Sequence, residues 1–305
     1  DLKRVMIIVV IAATPAALVG MWSAGYQANM AMQGLGLAGM EGWRGALLPL
    51  LGAGYDPASI YDCVIQGALY FVPIYMVTMI VGLTWEVLFA AVRNHEVNEG
   101  FFVTGFLFAL IVPATIPLWQ VAVGISFGVI IGKEVFGGTG KNFLNPALVA
   151  RAFLYFAYPA QISGDAVWTP VDGFSGATAL GISALEGFQG VLDSGLTWMQ
   201  AFLGQMQGSI GEVSAAACLL GALILIYTRI ASWRIIVAVC LGLIIPSLIF
   251  GNPESSNPMM SMPWQWHLVL GGFAFGAAFM ATDPVSASQT NTGKWVYGLL
   301  IGFMT

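Results

Sequence analysis

Long apolar runs, separated by short polar segments, make up most of the chain. An apolar run of about 20 residues is long enough to cross the hydrocarbon core of a bilayer as a helix. Val5–Tyr26 and Cys63–Trp85 meet this length. A third run, Phe101–Gly132, is interrupted by Pro113 and Pro117. Because proline interrupts the hydrogen bonding of a helix, we predict two short helices that meet at a break.

Five further segments complete the predicted set of membrane spans. They are Asn142–Tyr158, about Ser209–Thr228, Trp233–Phe250, Trp264–Thr282, and a run that begins at Trp295. A polar, glycine-rich stretch from about Pro159 to Gly208 divides the first of these segments from the rest. The pattern predicts an all-α polytopic membrane protein, with about ten spans in the full-length chain.

The basic residues predict the orientation of these spans. Cytoplasmic loops are enriched in lysine and arginine. If the N-terminus is cytoplasmic, eight of the ten basic residues fall on the cytoplasmic side. These are Lys3, Arg4, Arg93, Lys133, Lys141, Arg229, Arg234 and Lys294. The same orientation places the polar stretch that contains Thr178 on the periplasmic side.

Two of the predicted spans resemble each other. Gly105–Pro117 reads GFLFALIVPATIP and aligns without a gap with Gly272–Pro284, which reads GFAFGAAFMATDP. In the predicted topology the two copies cross the membrane in opposite directions. Inverted repeats with broken helices build ion or solute pathways at their interface, whereas chance similarity between apolar segments is the alternative. We predict inverted five-helix repeats at 1–158 and 209–305, the second one truncated, around a periplasmic loop at 159–208.

The composition narrows the class of protein. Charged residues make up only 8% of the 305 residues, against roughly 25% in soluble proteins, so a soluble enzyme is excluded. The net charge of −5 argues against nucleic-acid binding. Three separated cysteines and two histidines offer no ligand set for a transition metal. The chain starts at Asp1 and stops at Thr305 inside an apolar run, so we expect residues to be missing at both termini.

The polar stretch contains one segment with a chemical signature, DGFSGAT at 172–178. The small residues Ser175, Gly176 and Ala177 leave the Thr178 hydroxyl approachable by a bulky group. A carboxylate such as Asp172 is suited to holding a metal–phosphate reagent during a transfer. By spacing alone the segment is weak evidence, because loops of glycine, serine, alanine and threonine are common.

DGFSGAT resembles the recognition sequence of the bacterial flavin transferase, which esterifies FMN through its phosphate to the threonine hydroxyl. Longer segments resemble the family of B subunits of the sodium-translocating NADH:quinone oxidoreductase. They read VRNHEVNEGFFVT at 92–104, KEVFGGTGKNFLNPA at 133–147, YPAQISGD at 158–165, IASWRII at 230–236, MPWQWHLVLGGFAFG at 262–276 and MATDPVSAS at 280–288. The related D subunit of the Rnf complex shares the threonine site without HEVNEGFFVT and SWRII in this form.

The resemblance implies a membrane subunit of a respiratory, redox-driven sodium pump in the bacterial inner membrane. Its expected partners are the A, C, D, E and F subunits of the complex, the flavin transferase that matures it, membrane lipid and Na⁺. Its implied cofactors are FMN bound covalently at Thr178 and a non-covalent riboflavin. Electrons would pass from the first to the second and then to ubiquinone, coupled to export of Na⁺ from the cytoplasm. No residue of this chain is expected to act as a catalytic acid, base or nucleophile.

The resemblance also suggests which residues hold the flavins. Riboflavin in the family lies near the stretch that matches Lys133–Ala147, where Asn142 and Asn145 are candidate contacts, together with Thr104. Two asparagines before a helix are equally typical of helix capping. Arg151, a cation within a span, is costly unless it is paired. It is a candidate partner for an anionic flavin or a phosphate, and pairing with Glu134 or Glu212 is the alternative.

Two acidic residues are candidates for the sodium path, and a glycine marks the quinone region. Glu86 and Asp283 each lie at the predicted cytoplasmic end of an apolar segment, and acids at membrane depth are functional candidates. The alternatives are an ion pair of Glu86 with Arg93 and a helix cap at Asp283. The family carries two glycines before the glutamate in its quinone and inhibitor region, where this chain has Gly82 and Leu83.

Two other functions fit parts of the sequence. A passive channel or solute transporter would use the same repeat, but it leaves DGFSGAT without a role. An Rnf-type subunit would carry covalent FMN in a complex whose electron donor is ferredoxin.

Overall fold

The structure, a computed structural model, describes residues 2–94, 96, 100–162, 168, 171, 176–252 and 257–305. Within these ranges every regular element is a helix, which confirms the all-α prediction. The helices up to residue 162 are α1 (Leu2–Leu35), α2 (Gly42–Leu50), α3 (Ile60–Arg93), α4 (Gly100–Ile111), α5 (Leu118–Gly132), a 3₁₀ turn (Glu134–Phe136), α6 (Pro146–Ala157) and α7 (Pro159–Ile162). Those that follow are α8 (Ala179–Asp193), α9 (Trp198–Leu203), α10 (Ala215–Tyr227), α11 (Trp233–Phe250), a 3₁₀ turn (Pro258–Ser261), α12 (Trp264–His267), α13 (Phe273–Phe275), a π-helical turn (Gly276–Met280) and α14 (Asn291–Met304).

Four helical segments of the described chain are long and apolar enough to cross a membrane: α1, α3, α11 and the segment Leu118–Phe136. The helices α4, α6 and α10 are apolar but shorter. The predicted span Trp233–Phe250 coincides with α11. The first two predicted spans are too short, because α1 and α3 each continue for 34 residues.

Two predicted spans start later than expected. Helix α6 begins at Pro146 rather than at Asn142, and α10 begins at Ala215 rather than at Ser209. In each case a polar side chain caps the first turn: Asn145 accepts from the backbone of α6, and Ser214 accepts from that of α10. Such caps satisfy the free N–H groups of a helix start and thereby fix it. The stretch 159–208, predicted as a loop, contains the helices α7, α8 and α9.

Both similar spans are broken, as predicted. Helix α4 ends at Ile111, and a non-helical segment that holds Pro113 and Pro117 leads into α5. The second span leaves the helical conformation just before Asp283, the residue at which we predict its break, and it has an additional break earlier in the sequence. The chain leaves helix α12 after His267 and turns through Gly271, whose φ of +63° favours glycine. It then forms α13 and the π-helical turn before a second turn reaches Asp283.

Helix α1 packs against both halves of the chain through glycines that let backbones approach closely. A methyl group at Gly25 would overlap the backbone of Cys63 on α3, and one at Gly20 would overlap that of Ile210 before α10. On α10, a methyl group at Gly221 would meet the carbonyl oxygen of Ala12. The first helix of each predicted repeat therefore lies beside the other.

Candidate functional site

Four residues selected from the sequence line one cavity. Thr104 comes from α4, Asn142 and Asn145 precede α6, and Asp283 follows the π-helical turn. We call this the inner cavity; its walls also include Met6, Val9, Lys133, Thr139, Leu225, Phe279 and Thr282. Its volume is about 60 Å³. The structure therefore brings together residues that the sequence assigned to two different ligands, riboflavin and sodium.

Asn145 connects α6 to the broken span across the inner cavity. Its Oδ1 accepts from the N–H groups of Ala147 and Leu148, at 3.0 and 3.4 Å. Its Nδ2 donates to Asp283 Oδ2 at 3.4 Å. The capping alternative is thus confirmed for Asn145, and the same side chain also orients the carboxylate of Asp283.

The other two predicted riboflavin contacts make local hydrogen bonds. Asn142 is buried, accepts from the N–H of Gly140 at 3.2 Å and donates to the carbonyl of Leu144 at 2.7 Å. It shapes the loop that covers the cavity. The hydroxyl of Thr104 lies 3.5 Å from the carbonyl oxygen of Gly100, one turn earlier in α4.

Asp283 forms a cap in the turn after the π-helical segment. Its Oδ1 accepts from the N–H of Val285 at 3.2 Å, and its Oδ2 accepts from the hydroxyl of Ser286 at 2.8 Å. The predicted capping role is therefore present. The carboxylate is only partly buried and faces the inner cavity, so capping leaves it accessible to a cation.

Three buried charges, Glu86, Lys133 and Glu134, and the exposed Arg93 join the end of α3 to the turn after α5. Lys133 pairs with Glu86, and its Nζ lies 3.9 Å from Glu134 Oε1. Arg93 binds the other oxygen of Glu134 at 3.1 Å and the backbone carbonyl of the same residue at 2.8 Å. The alternative reading of Glu86, an ion pair with Arg93, is wrong, because Lys133 is the cation that pairs with Glu86. An isolated charge that is buried to this degree is costly, so the ion pairs stabilise these residues next to one another.

The predicted quinone region lies one turn before Glu86 on α3. Gly82 is buried, and a methyl group there would overlap the ring of Phe101, which is also fully buried. Leu83 is partly buried and packs against the main hydrophobic core. A glycine at position 82 is therefore required by the close approach of α4.

A second cavity, the outer cavity, contains Thr178 and Arg151. It has a volume of about 370 Å³ and is also lined by Pro113, Tyr155, Gln207, Ser209, Glu212, Gly271 and Gly272. Thr178 is the N-cap of α8, and its hydroxyl accepts from the N–H of Gly181 at 3.2 Å. The hydroxyl therefore lies at a helix N-terminus, where the helix dipole favours negative charge.

Arg151 pairs with Glu212, which was one of its two predicted partners. Both guanidinium Nη atoms contact the carboxylate, Nη2 at 3.3 Å from Oε2. Glu212 is 8% exposed, and a methyl group at Gly272 would overlap its carboxylate. The pair thus joins α6 to the segment before α10, next to Gly272 of the broken span, and forms a wall of the cavity that holds Thr178.

The segment before Thr178 is tightly packed where it is described. Gly176 is buried, and a methyl group there would collide with the carbonyl oxygen of Trp168. Ala177 is partly buried. The predicted contacts Asp172 and Ser175 lie outside the described residues.

The two cavities lie along the same elements. On α6, Asn145 lines the inner cavity and Arg151 the outer one, a rise of about 9 Å along the helix axis. On the broken span, Asp283 belongs to the inner cavity and Gly272 to the outer one. Buried side chains such as Phe275 and Leu110 pack in the core of this region.

Sequence reasoning missed the role of Lys133 and left the partner of Arg151 open. Lys133 is in the KEVFGGTG segment and was predicted only as a cytoplasmic charge. Its position directly after an apolar helix, next to Glu134, was the available signal. Charged residues at the ends of spans pair across the fold, so their partners do not follow from sequence distance.

Broken helices, buried ion pairs and two cavities with charged and amide side chains in their walls define a polytopic membrane protein with internal polar sites. Residues 1–305 match the NQR2, RnfD, RnfE family, and the chain belongs to this family. It is 63% identical over 307 residues to the B subunit of the Na(+)-translocating NADH-quinone reductase of Azotobacter vinelandii, covering all of this chain and 76% of that protein. The proteins of the same name from Pseudomonas aeruginosa and Chromohalobacter salexigens are 62% and 60% identical, again over the whole chain and over 76% and 74% of their own lengths.

Proposed function

We propose that this chain is the membrane-embedded B subunit of a sodium-translocating NADH:quinone oxidoreductase. In this role it accepts electrons from a partner subunit, delivers them to ubiquinone and couples this transfer to export of Na⁺. The observation that carries the proposal is the identity of 60–63% over the whole chain to relatives of that name. The internal polar sites support it, since a redox-driven pump needs both a cofactor site and an ion path.

Thr178 is the proposed attachment point of FMN through a phosphoester. Three features of its surroundings fit a phosphate. The hydroxyl lies at the N-terminus of α8, the guanidinium of Arg151 lines the same cavity, and no side chain is present at Gly176. Helix N-termini and arginine are the groups that proteins use to bind phosphate. Asp172 and Ser175 complete the proposed recognition segment.

A bound flavin would supply the redox chemistry that the side chains of this protein cannot perform. The chain itself provides position and electrostatics. Thr178 fixes the phosphate end, and Arg151 places positive charge in the outer cavity, where its pairing with Glu212 holds the guanidinium in place.

The inner cavity is the proposed riboflavin region, with Thr104, Asn142 and Asn145 as contacts. Its present volume of about 60 Å³ is below the roughly 300–1,000 Å³ of usual ligand pockets. In this conformation it does not admit a flavin ring, so riboflavin binding there requires the cavity to widen. The outer cavity, at about 370 Å³, is within the usual range.

Glu86 and Asp283 are the proposed sodium residues, and Gly82 and Leu83 mark the proposed quinone region. Carboxylate oxygens are preferred ligands of hard cations. The carboxylate of Asp283 faces the inner cavity, and that of Glu86 is held by Lys133, a residue of the cavity wall. The proposed partners are the A, C, D, E and F subunits, the flavin transferase, and the lipid of the bacterial inner membrane, with Thr178 on the periplasmic side.

The test is fluorescence of the full-length chain on a denaturing gel under ultraviolet light, after expression in a host that has the flavin transferase. We expect a fluorescent band, and we expect Thr178→Ala to abolish it. The matched control is Thr197→Ala, which removes the corresponding cap of α9 and should leave the band. A dark wild-type band would refute covalent flavin, and a bright band in Thr178→Ala would refute the attachment site.

The alternative functions make different predictions in the same experiment. A passive channel or solute transporter predicts no covalent flavin. An Rnf-type subunit also predicts a fluorescent band, but its complex would oxidise ferredoxin rather than NADH. Quinone reduction by the assembled complex, measured with NADH and with ferredoxin as the donor, distinguishes the proposed subunit from an Rnf-type subunit.

A further inference from the structure

Lys133 is buried between two carboxylates and also lines the inner cavity. Its side chain is 4% exposed, and those of Glu86 and Glu134 are 3% and 1% exposed. An ammonium group at this burial is costly unless it is paired. Pairing with Glu86 alone would meet that need, but a second carboxylate, that of Glu134, lies beside the same ammonium and is also bound by Arg93.

The geometry gives the lysine two positions. In the structure its ammonium pairs with Glu86, while Glu134 Oε1 lies 3.9 Å from the same Nζ. Arg93 is bound to the other oxygen of Glu134. A rotation about the flexible lysine stem would bring Nζ onto Glu134 and release Glu86, and the lysine would keep a carboxylate partner throughout.

We propose that Lys133 is a positioning residue for sodium: its ammonium occupies Glu86 when sodium is absent and moves to Glu134 when sodium binds Glu86. This rests on the proposed function, in which Glu86 belongs to the sodium path. Because Lys133 forms part of the wall of the inner cavity together with Asp283, its movement changes that wall. Sodium binding is thereby linked to the shape of the cavity.

Charge balance supports the exchange. The formal charges of Glu86, Lys133, Glu134 and Arg93 sum to zero, so a sodium ion adds one positive charge to the cluster. Asp283, on the wall of the same cavity, supplies a negative charge near that addition. An ammonium that competes for Glu86 lowers the apparent sodium affinity in proportion to the fraction of time it occupies the carboxylate.

The test measures sodium-dependent quinone reduction by the assembled complex, with Lys133→Met, Lys133→Arg and the control Lys141→Met. Lys141 is an exposed lysine eight residues further along the same loop region. If the ammonium occupies Glu86 nine-tenths of the time, Lys133→Met lowers the sodium concentration for half-maximal turnover about tenfold. Lys133→Met should also lower the maximal turnover, because the ammonium that displaces sodium from Glu86 is then missing. Lys141→Met should retain the wild-type sodium dependence.

If the complex that carries Lys133→Met does not assemble, Lys133→Arg tests the proposal instead. Arginine retains both ion pairs and binds a carboxylate through two donors. It therefore competes with sodium for Glu86 more strongly than lysine does, and the half-maximal sodium concentration of Lys133→Arg should rise about threefold or more. A purely structural lysine predicts changed assembly or maximal turnover with an unchanged half-maximal sodium concentration, and that result in every variant that assembles would overturn the proposal. If the wild-type complex itself shows no dependence on sodium, the proposed function fails instead.

Discussion

Asn145 and Asp283, 138 residues apart, are joined by a hydrogen bond from Nδ2 to Oδ2 of 3.4 Å. One residue starts α6, and the other ends the broken span that follows α11. The contact therefore connects the two predicted repeats at the inner cavity. A change in the charge or position of Asp283 therefore acts on the start of α6 through this hydrogen bond. The same helix carries Arg151, which lines the outer cavity.

Asp283→Ala should raise the sodium concentration for half-maximal turnover of the complex by about tenfold, which corresponds to about 1.4 kcal/mol. The substitution removes the carboxylate that faces the inner cavity. A sodium titration of quinone reduction measures this half-maximal concentration. Ser286→Ala is the control, since it removes only a hydroxyl that donates to the same carboxylate, and its sodium dependence should stay close to that of the wild type. An unchanged half-maximal concentration in Asp283→Ala would exclude the sodium role.

Gly176→Ala should lower the fraction of chains that carry covalent flavin. The added methyl group collides with the carbonyl oxygen of Trp168, so the segment that presents Thr178 must shift. Gel fluorescence normalised to the amount of protein measures the effect. Gly34→Ala, at a position where a methyl group meets open space, should leave the fraction unchanged. Full fluorescence in Gly176→Ala would show that this packing is not needed for modification.

Individual helix ends show which features of this fold follow from an apolar run and which do not. The predicted bounds of Trp233–Phe250 are correct, because this largely apolar run lies between Ser232 and Gly251, which also flank the helix. The starts of α6 and α10 were placed too early, since hydropathy does not register that Asn145 and Ser214 cap their helices. Caps depend on side-chain geometry at single positions.

The candidate residues were found from the sequence, but their arrangement was not. Asn145 and Asp283 were assigned to different ligands, and only the fold brings them to one cavity. Glu86 was matched with Arg93, two turns along the same helix, whereas its partner Lys133 lies 47 residues away. Short-range neighbours can be read from helical periodicity, but contacts between helices depend on how the helices pack.

Gly82→Ala should destabilise the chain by about 1–3 kcal/mol, the usual cost of overpacking. The new methyl group overlaps the ring of Phe101, which has no room to move because it is fully buried. Thermal unfolding of the detergent-solubilised complex measures the loss. Adding Phe101→Leu should recover part of it by making space beside the methyl group. A double variant no more stable than Gly82→Ala would contradict the proposed overlap.

Arg151 and Glu212 should show strong coupling in a double-mutant cycle. Arg151→Met leaves the carboxylate of Glu212, which is 8% exposed, without its partner, and removal of one member of a buried pair costs about 3–5 kcal/mol. We expect a loss near the lower end, because the side chain of Arg151 is 34% exposed. Glu212→Gln should also destabilise, since it leaves the arginine unpaired within a span.

The double variant of Arg151 and Glu212 separates the structural role of the pair from a role in binding phosphate. It should be more stable than either single variant, because it buries no unpaired charge. If Arg151 acts only through this pair, the double variant also recovers gel fluorescence at Thr178. If its positive charge is needed for the phosphate, the double variant regains stability while its fluorescence stays low. If the stability losses of the two single variants simply add in the double variant, the two residues do not interact, and that result would contradict the ion pair.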